Sequence, residues 1–376
     1  MKIALVAPAP IPSKAANSIQ VMKMAQAYAQ IGHDFELIVP AGSQSIDWDQ
    51  LREHYGLQTQ FPIAELSVKC WMRGYDYALN VARYARQQQF ELLHTRHPQT
   101  AAWAADSRIP TVFELHDLPT GYMGPRLLKI FLAGKAARAL VVITAALKRA
   151  LEERYPLLKD SPLVQVRPDG IDLERYADLP IASQARQQLG LEDAFTVGYT
   201  GHLYPGRGTH LILELAEALR DCRFLLVGGQ ASAVEAFQKE AAGRGLSNIN
   251  AVGFVPNAQL PLYQAASDVL VMPYQAEVSA SSGGDISSFL SPMKMFEYMA
   301  AARPVLASHL SVFEEVLNEE NAVWLPHDDA AAWVAAIQTI RSEPKQGAKL
   351  ATQARQDVAK YTWQHRAEAI LAGLSH

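Results

Sequence analysis

Short apolar segments rich in β-branched residues alternate along this chain with longer segments of helical periodicity, and no other feature constrains its fold as strongly. Strands that are connected through helices pair in parallel, and a parallel sheet is covered by helices on both faces. In the first half of the chain the alternation predicts strands at 2–7, 35–39, 92–95, 111–115, 140–144 and 163–166. The helix predicted at 18–31 carries an apolar stripe and ends at Gly32.

The alternation begins again beyond a polar stretch at 172–193. Further strands are predicted at 195–200, 224–227, 249–252, 269–272, 305–307 and 322–325. The chain is therefore expected to form an α/β protein with two Rossmann-like doubly wound domains that face each other across a cleft. The expected domains span 1–175 and 176–358, and a C-terminal helix within 359–376 is expected to pack back on the N-terminal domain.

The composition argues against several classes of protein. Of the 376 residues 49% are hydrophobic, which is too apolar for a disordered chain, and a net charge of -4 gives no basic field for nucleic acid. No apolar run approaches the roughly 20 residues of a transmembrane helix, and the N-terminal segment looks like a strand, not a signal peptide. Cys70 and Cys222 match no metal or redox spacing. We expect a cytoplasmic protein with at most peripheral contact at the inner face of the membrane.

A capped helix with a lysine in its first turn is predicted after the Gly- and Ser-rich segment 279–288. Ser291 is expected to cap this helix and Pro292 to occupy its first turn, where free N–H groups and the helix dipole attract an anion. Lys294 in that turn would be unfavourable by itself and favourable beside a phosphate. Glu297, one turn later on the same face, is suited to accept hydrogen bonds from the paired hydroxyls of a sugar. The alternative is a surface helix with a solvated lysine and glutamate.

A glycine-rich turn follows the strand predicted at 195–200. Gly201, Gly206 and Gly208 would allow a ligand to approach the backbone closely, and Arg207 adds a permanent positive charge. A purely structural turn explains the glycines equally well. The turn and the capped helix would both open at the carboxyl edge of one parallel sheet, which is where open α/β sheets bind ligands.

His116 follows the strand predicted at 111–115, at the corresponding edge of the first sheet. His94, Arg96 and His97 stand at the end of another predicted strand and are weaker candidates of the same kind. A histidine at a strand end is more often structural than catalytic, and the spacing of these side chains does not match a metal site. His116 is therefore a candidate whose weight depends on its neighbours in the fold.

The motifs, in this order along the chain, resemble those of retaining glycosyltransferases of the GT-B fold, the large family 4 that is also called group 1. The resemblance covers nearly the whole chain, and its most specific segment is Phe-Glu-Tyr-Met-Ala-Ala at 296–301. The other matching segments are Ile-Gly-His at 31–33, His-Asp at 116–117, Val-Ile-Thr at 142–144, Pro-Asp-Gly-Ile-Asp at 168–172, the turn at 201–208, Leu-Leu-Val-Gly-Gly at 225–229 and Gly-Phe-Val-Pro at 253–256.

The resemblance implies that the second domain mainly holds a nucleotide-sugar donor and that the first mainly holds the acceptor. Carried over by position, Glu297 should bind the ribose hydroxyls, and Arg207 stands where the family has a lysine that neutralises the diphosphate. Backbone amides near Ser291, Pro292 and Met293 should approach the phosphates and the sugar.

The remaining positions carried over from the family contact the donor or the acceptor. Four further positions are expected to contact the nucleotide-sugar donor. Gly201, His202 and Gly206 belong to the glycine-rich turn, and Val255 belongs to the segment that is expected to lie against the nucleobase. His116 matches the family histidine beside the transferred sugar. Asn17 and Ser18 stand where the family has a Gly-rich loop beside phosphate and acceptor.

Two positions depart from the family pattern. The family has a glutamate that touches the sugar ring where this chain has Phe289, so that role would fall to Asp285 or be absent. The arginine usual in the phosphate turn is His202 here, a weaker cation whose charge depends on pH. Lys294 is expected to compensate for the missing arginine.

The resemblance implies transfer with retention of configuration, in which the departing diphosphate takes the proton of the acceptor on the same face. Negative charge would build up on the diphosphate, and Arg207, Lys294 and the helix N-terminus would stabilise it. His116 and Glu297 complete the expected catalytic set. Because the cationic groups can replace a metal ion, neither a metal nor another cofactor is expected. The expected partners are a nucleotide-sugar, first of all a UDP-sugar, and a glycan, lipid-linked or small-molecule acceptor in polysaccharide or glycoconjugate synthesis.

Two other functions remain open on the sequence. A nucleotide-sugar epimerase would need acid and base carboxylates around the sugar, and Phe289 argues against it. A lapsed GT-B protein that serves as a partner or sugar-binding subunit would explain Phe289 and His202, whereas the four catalytic candidates favour an active enzyme. The segments 124–139 and 69–86 combine basic and apolar residues, which suits either membrane contact or an ordinary core helix.

Overall fold

The computed structural model describes residues 1–42, 47–72, 74–279 and 284–374, which form two compact units. The first unit contains Met1–Asp169 and the C-terminal segment from Trp363, and the second contains Gly170–Thr362. The first unit thus ends before the expected boundary at 175, and the second ends after the expected boundary at 358. The chain enters and leaves the second unit at neighbouring residues, because Ile171 and Thr362 form a parallel β-bridge.

Parallel strands form the sheet of the first unit, and helices connect them. The strands are β1 Lys2–Val6, β2 Asp34–Pro40, β3 Ile63–Leu66, β4 Leu92–Thr95, β5 Thr111–Leu115, β6 Ala137–Val142 and β7 Val164–Val166. The helices are α1 Ala16–Gln30, α2 Trp48–Tyr55, α3 Tyr75–Gln87, α4 Pro98–Asp106, α5 Met123–Ala133 and α6 Ala145–Arg154. The strand order is β3-β2-β1-β4-β5-β6-β7.

The second unit repeats this design on a six-stranded parallel sheet. Its strands are β8 Thr196–Thr200, β9 Arg223–Val227, β10 Ile249–Gly253, β11 Val269–Met272, β12 Val305–Ser308 and β13 Val323–Leu325. Its helices are α7 Ala182–Gln188, α8 Thr209–Ala218, α9 Ala231–Gly243, α10 Leu260–Ala265, α11 Met293–Ala300, α12 Ala330–Ser342 and α13 Pro344–Asp357. The strand order is β10-β9-β8-β11-β12-β13.

The last helix, α14 Trp363–Ala372, returns to the first unit. It packs on α1, where the Gln364 side-chain amide donates a hydrogen bond of 2.8 Å to Gln30. Within the described residues, no helix combines the length and the apolar character that crossing a membrane requires.

Both sheets reverse their strand order next to their first strand. In the first sheet β1 lies between β2 and β4, and in the second β8 lies between β9 and β11. Connections leave such a switch point on opposite faces of the sheet, which opens a crevice at the carboxyl ends of the two strands. The candidate residues follow β1, β4 and β5 in the first unit and β8 and β11 in the second, except Val255, which follows the edge strand β10.

The central strands are almost completely buried because helices cover both faces of each sheet, and β11 is apolar throughout. In β11 all four side chains from Val269 to Met272 are almost completely buried. Burial of a side chain of this size stabilises the fold by about 1.5 to 3 kcal/mol. These strands therefore fix the positions of the loops at their carboxyl ends.

Three predictions about local structure need correction. Strand β3 was not predicted, because it lies at the edge of its sheet and its four residues, with Glu65 exposed, form no buried apolar run. The strand predicted at 140–144 ends at Val142, since Thr144 instead caps α6 by accepting a hydrogen bond from the Leu147 N–H. The segment 124–139 is not one amphipathic stretch but contains nearly all of α5, a turn and the start of β6.

Candidate active site

The glycine-rich turn after β8 lies tightly against the segment that follows β11. A Cβ atom at Gly208 would stand 1.8 Å from the Pro273 carbonyl oxygen, and one at Gly206 would stand 2.1 Å from the Glu277 carbonyl oxygen. Both glycines have positive φ angles, of 78° and 82°. The turn therefore needs glycine for packing as well as for conformation, and the structural explanation of these two glycines is sufficient.

Gly201 has a different role, because it makes room for a lysine. A Cβ atom at Gly201 would stand 2.7 Å from Lys294 Nζ. This nitrogen lies 3.9 Å from the ring centroid of Tyr199 and 5.4 Å from that of Tyr274. It is shielded from solvent and has no hydrogen-bond partner among the described residues. An aromatic pocket at the switch point of the second sheet thus holds the amino group of Lys294, and no described residue forms an ion pair with it.

The electrostatic environment of Lys294 disfavours its charge. Burial and the neighbouring Arg207 hold the pKa of Lys294 well below its usual value, and Glu297 opposes this effect. The guanidinium carbon of Arg207 lies 5.0 Å from the centroid of the Tyr274 ring. Two cationic side chains on one aromatic ring form a site that an anion such as a phosphate would stabilise.

Glu297 is held in place by a chain of hydrogen bonds from Gln264 and Tyr176. Its carboxylate accepts one from the Gln264 side-chain amide at 3.1 Å, and Gln264 in turn accepts one from the Tyr176 hydroxyl at 3.0 Å. The sequence analysis did not identify Gln264 or Tyr176. The sequence did carry a signal for Gln264, which is a polar residue in the mostly apolar segment of α10. The structure shows that this position is fully buried.

The predicted cap of the phosphate-facing helix is wrong. Helix α11 begins at Met293, its N-cap is Pro292, and no side chain caps it. Ser291 precedes the N-cap, so its hydroxyl is one residue too early for the usual capping bond. The Ser291 Oγ atom is buried and has no hydrogen-bond partner among the described residues. Near this helix end, Ser291 and Lys294 are thus two buried polar groups for which the described part of the chain supplies no hydrogen-bond partner.

Other predicted donor residues have local roles. The His202 ring stacks on Tyr204 with centroids 4.7 Å apart. Val255 packs against the apolar cluster beside β9 and α10. The Asp285 carboxylate accepts hydrogen bonds from the Val278 and Ser287 amides at 2.8 and 2.9 Å, so it organises its own loop. Replacement of the missing family glutamate by Asp285 stays a prediction.

In the first unit, His116 belongs to a buried polar cluster at the carboxyl end of β5. Its Nε2 atom lies 2.5 Å from Glu114 Oε1, and His94 Nε2 lies 2.9 Å from Glu114 Oε2, both within hydrogen-bond distance. Burial, followed by the charge of Arg96, lowers the pKa of His116 although Glu114 opposes the shift. The structure thus brings together His116 with His94 and Arg96, which the sequence analysis placed at the ends of two different strands.

The turn after β1 contributes a small cavity that Ala7, Ile11, Asn17 and Ser18 help to line. The Ser18 hydroxyl lies 2.6 Å from the hydroxyl of Tyr55, which ties α1 to α2. The Asn17 Oδ1 atom is buried and has no partner among the described residues. Of the two predicted residues, Asn17 is therefore the one with a hydrogen-bonding atom left for a ligand.

One cluster among the described residues has the spacing of a metal site. The candidate ligand atoms of Glu114, His116 and Asp169 all lie within 4.8 Å of one another. The charges of Arg96 and Arg366 act on both carboxylates, although burial still raises the pKa of Asp169. These residues therefore do not fit a divalent cation, which would have to compete with two guanidinium groups. The expectation that no metal is needed stays a prediction.

Comparison with solved structures places this fold in a known class. HepE from Anabaena, solved in complex with UDP, superposes with a TM-score of 0.74 at 19% identity over 99% of both chains. WaaG, described as a glycosyltransferase involved in lipopolysaccharide biosynthesis, superposes with a TM-score of 0.64 at 15% identity over 98% of both chains. The paired parallel sheets and these neighbours define a GT-B fold, as the sequence predicted.

Family models identify the chain more closely. The model described as Glycosyltransferase Family 4 matches residues 18–175, and the model described as Glycosyl transferases group 1 matches residues 194–343. Together they cover most of the chain, which therefore belongs to the family 4, group 1 glycosyltransferases.

Curated relatives match only part of the chain. The D-inositol 3-phosphate glycosyltransferase of Corynebacterium urealyticum is 27% identical over 253 residues, which span 62% of this chain and 56% of that protein. The 2-deoxystreptamine glucosyltransferase of Streptomyces kanamyceticus is 33% identical over 121 residues, or 30% of each chain. The chain thus spans little more than half the length of the first of these relatives.

Proposed function

We propose that this protein is a retaining glycosyltransferase that moves a sugar from a nucleotide-sugar, in the first instance a UDP-sugar, to a hydroxyl of an acceptor. The observation that carries the proposal is the buried amino group of Lys294 beside Arg207 at the start of α11, which has no hydrogen-bond partner within the part of the chain that the structure describes. Lys294, Arg207 and the N-terminus of α11 are suited to bind a diphosphate.

The same groups suit the chemistry of sugar transfer. As the bond between the anomeric carbon and the diphosphate breaks, the electron pair stays on the phosphate oxygen, and Lys294 and Arg207 stabilise the new charge. The acceptor oxygen forms the new bond on the same face, and its proton passes to the departing phosphate. Glu297, held by Gln264, binds the ribose hydroxyls of the donor, and His116 contacts the transferred sugar, as in the family pattern.

The acceptor is a molecule rich in hydroxyl groups, such as a glycan, a polyol or a lipid-linked sugar. Support comes from the named substrates of the relatives, an inositol phosphate and an aminocyclitol. A peripheral membrane contact is part of the proposal because α5 exposes Met123 and Ile130 together with Arg126 and Lys129. Synthesis of a glycoconjugate or polysaccharide in the cytoplasm would agree with this arrangement.

Nucleotide binding is the first test. We would record thermal unfolding with UDP, GDP, TDP and ADP, in EDTA and in magnesium. A nucleotide at about 100 times its dissociation constant should add roughly 2.7 kcal/mol of stability, which raises the melting temperature by several degrees. We expect UDP to do so in EDTA, and we expect Glu297→Ala to lose both this shift and the activity. No shift with any nucleotide would favour the lapsed protein.

Turnover separates the remaining alternatives. NMR spectra of the reaction with a UDP-sugar and a polyol acceptor report the configuration of the new bond. We expect the product to keep the configuration of the donor. An epimerised donor in the absence of acceptor would identify an epimerase, and an inverted product would refute retention.

A further inference from the structure

Glu114 carries an unusually complete set of hydrogen bonds for a buried carboxylate. Its Oε1 atom accepts from Gln20 Nε2 at 2.8 Å and from His116 Nε2 at 2.5 Å. Its Oε2 atom accepts from His94 Nε2 at 2.9 Å and from Arg366 Nη1 at 3.1 Å. A carboxylate offers about four acceptor positions, so each position of Glu114 is filled by a different side chain.

Arg366 brings the compensating charge to this carboxylate from the far end of the chain. It lies on α14, and its guanidinium also donates to the Pro168 and Arg167 carbonyl oxygens at 2.8 and 3.2 Å. Its side chain and that of Glu114 are each less than 5% exposed. The ion pair therefore fixes α14 and β5 relative to one another inside the first unit.

The ionised carboxylate dictates which nitrogen of His116 carries a proton. Burial alone would raise the pKa of Glu114, but Arg366 and the hydrogen bonds from His116 and His94 hold it well below its usual value. An ionised carboxylate only accepts hydrogen bonds, so His116 Nε2 must donate. In the neutral ring the other nitrogen, Nδ1, is then a hydrogen-bond acceptor.

We propose that Glu114 and Arg366 are positioning residues for His116, which they hold as the Nε2–H tautomer so that Nδ1 accepts a hydrogen bond from a sugar hydroxyl. The side chain of His116 is 20% exposed, whereas those of Glu114 and His94 are 1% exposed, so His116 is the ring within reach of a ligand. This inference rests on the proposed function for the identity of the ligand. It makes His116 a neutral acceptor and not a cation. The charged groups acting on it are Glu114, Arg96 and Asp169.

Nitrogen-15 NMR of the protein labelled at its 11 histidines tests the tautomer directly. The His116→Gln variant assigns the signals, since only those of His116 should vanish. We expect the coupling pattern of an Nε2–H ring for His116 at pH 7. An Nδ1–H tautomer or an imidazolium at that pH would overturn the proposal.

Variants separate positioning from mere support of the fold. Glu114→Met alone would leave Arg366 with an unpaired buried charge, so the informative variant is Glu114→Met with Arg366→Met, which removes both charges. We expect this double variant to fold, to lose the fixed tautomer of His116 and to lower kcat by about 10- to 100-fold with a smaller change in KM. Full kcat in the folded double variant would contradict a positioning role.

Two controls complete the test. Arg366→Lys keeps a positive charge near Glu114, so this variant should retain most of the wild-type kcat and the wild-type tautomer of His116. Arg186→Met removes the ion pairs of this buried arginine with Asp193 and Asp268 in the second unit and should leave the His116 signals unchanged. If the wild type shows the expected tautomer but turns over no donor, the proposed function fails and the tautomer assignment stands. If it turns over donor with the other tautomer, only the present inference fails.

Discussion

Lys294 shows how a single residue can carry a function at the expense of stability. Its ammonium is buried without a hydrogen-bond partner among the described residues, and Tyr199 and Tyr274 supply only their ring faces. A structural lysine would be paired or would reach solvent. The cost of leaving this group unpaired is explained if a diphosphate is its partner.

Replacement of Lys294 by methionine should therefore stabilise the free protein. Since the folded pKa is depressed, the unfolded chain binds a proton more tightly, and Lys294 costs stability as pH falls below about 10.4, until the pH reaches its folded pKa. We expect Lys294→Met to gain about 1 to 3 kcal/mol in urea unfolding at neutral pH and to lose at least about tenfold in UDP affinity. The exposed Lys239→Met is the control. A less stable Lys294→Met would contradict this account.

His97 should make the first unit sensitive to acid. Burial lowers the pKa of His97 to about 4, whereas the unfolded value is about 6.5. The neutral His97 ring therefore makes its full contribution to the free energy of unfolding above about pH 6.5. This contribution, roughly 3 kcal/mol, is lost as the pH falls through about 4. We expect urea unfolding of His97→Gln to show a smaller loss of stability between pH 7 and pH 4. The exposed His210→Gln should behave as wild type, and an unchanged pH dependence in His97→Gln would refute the assignment.

At the scale of elements, the candidate donor site depends on how closely β8, its turn and α11 approach one another. Backbone atoms after β11 lie against Gly206 and Gly208, and Lys294 from α11 lies against Gly201. The Tyr298 hydroxyl accepts a hydrogen bond from the Thr200 N–H at 2.7 Å, which joins α11 to the end of β8. The three elements therefore form one rigid support for the cationic groups.

Substitution of Gly208 by alanine should break this support. The new Cβ would clash with the Pro273 carbonyl oxygen, so we expect a loss of about 3 kcal/mol or more in urea unfolding together with loss of UDP binding. Gly190→Ala is a matched control, because Gly190 also has a positive φ but meets nothing within 4 Å. The control should cost about 1 to 2 kcal/mol of backbone strain and leave UDP binding intact. Similar losses in both variants would show that the clash is unimportant.

At the scale of the whole molecule, the chain begins and ends in the first unit. Helix α14 packs on α1, and Arg366 ties it to β5 and to the segment after β7. The second unit, Gly170–Thr362, is inserted between these two parts. The integrity of the first unit therefore depends on a helix that is separated from the rest of this unit by the whole of the second unit.

A chain truncated after Thr362 should lose stability mainly in the first unit. It would leave Glu114 without its compensating charge and expose the face of α1 that α14 covers, at a cost of about 3 to 5 kcal/mol for the broken ion pair. Hydrogen exchange should rise in β1, β4 and β5 and stay low in β8 and β11. UDP should still bind, because the proposed diphosphate groups lie in the second unit. Equal loss of protection in both units would contradict this division.

Much of the fold and part of the candidate site follow from sequence. Most predicted strands differ from the observed ones by one or two residues, because a fully buried strand needs an unbroken apolar run. Strand β3 and the start of β6 were missed because edge and half-exposed strands lack that run. The cap at Ser291 was wrong because a Ser-Pro pair does not show whether the helix begins before or after the proline.

The sequence by itself determined the two-sheet architecture, the family and the positions of Lys294, Glu297 and Arg207, since periodicity and motif order are local properties of the chain. Only the tertiary structure decided what surrounds them. It placed Tyr199 and Tyr274 around Lys294 and joined Glu114 to Arg366 across 252 positions of sequence. Such contacts form between elements that are distant in sequence, so desolvation, charge compensation and the tautomer of His116 appear only when the sheets and helices are packed.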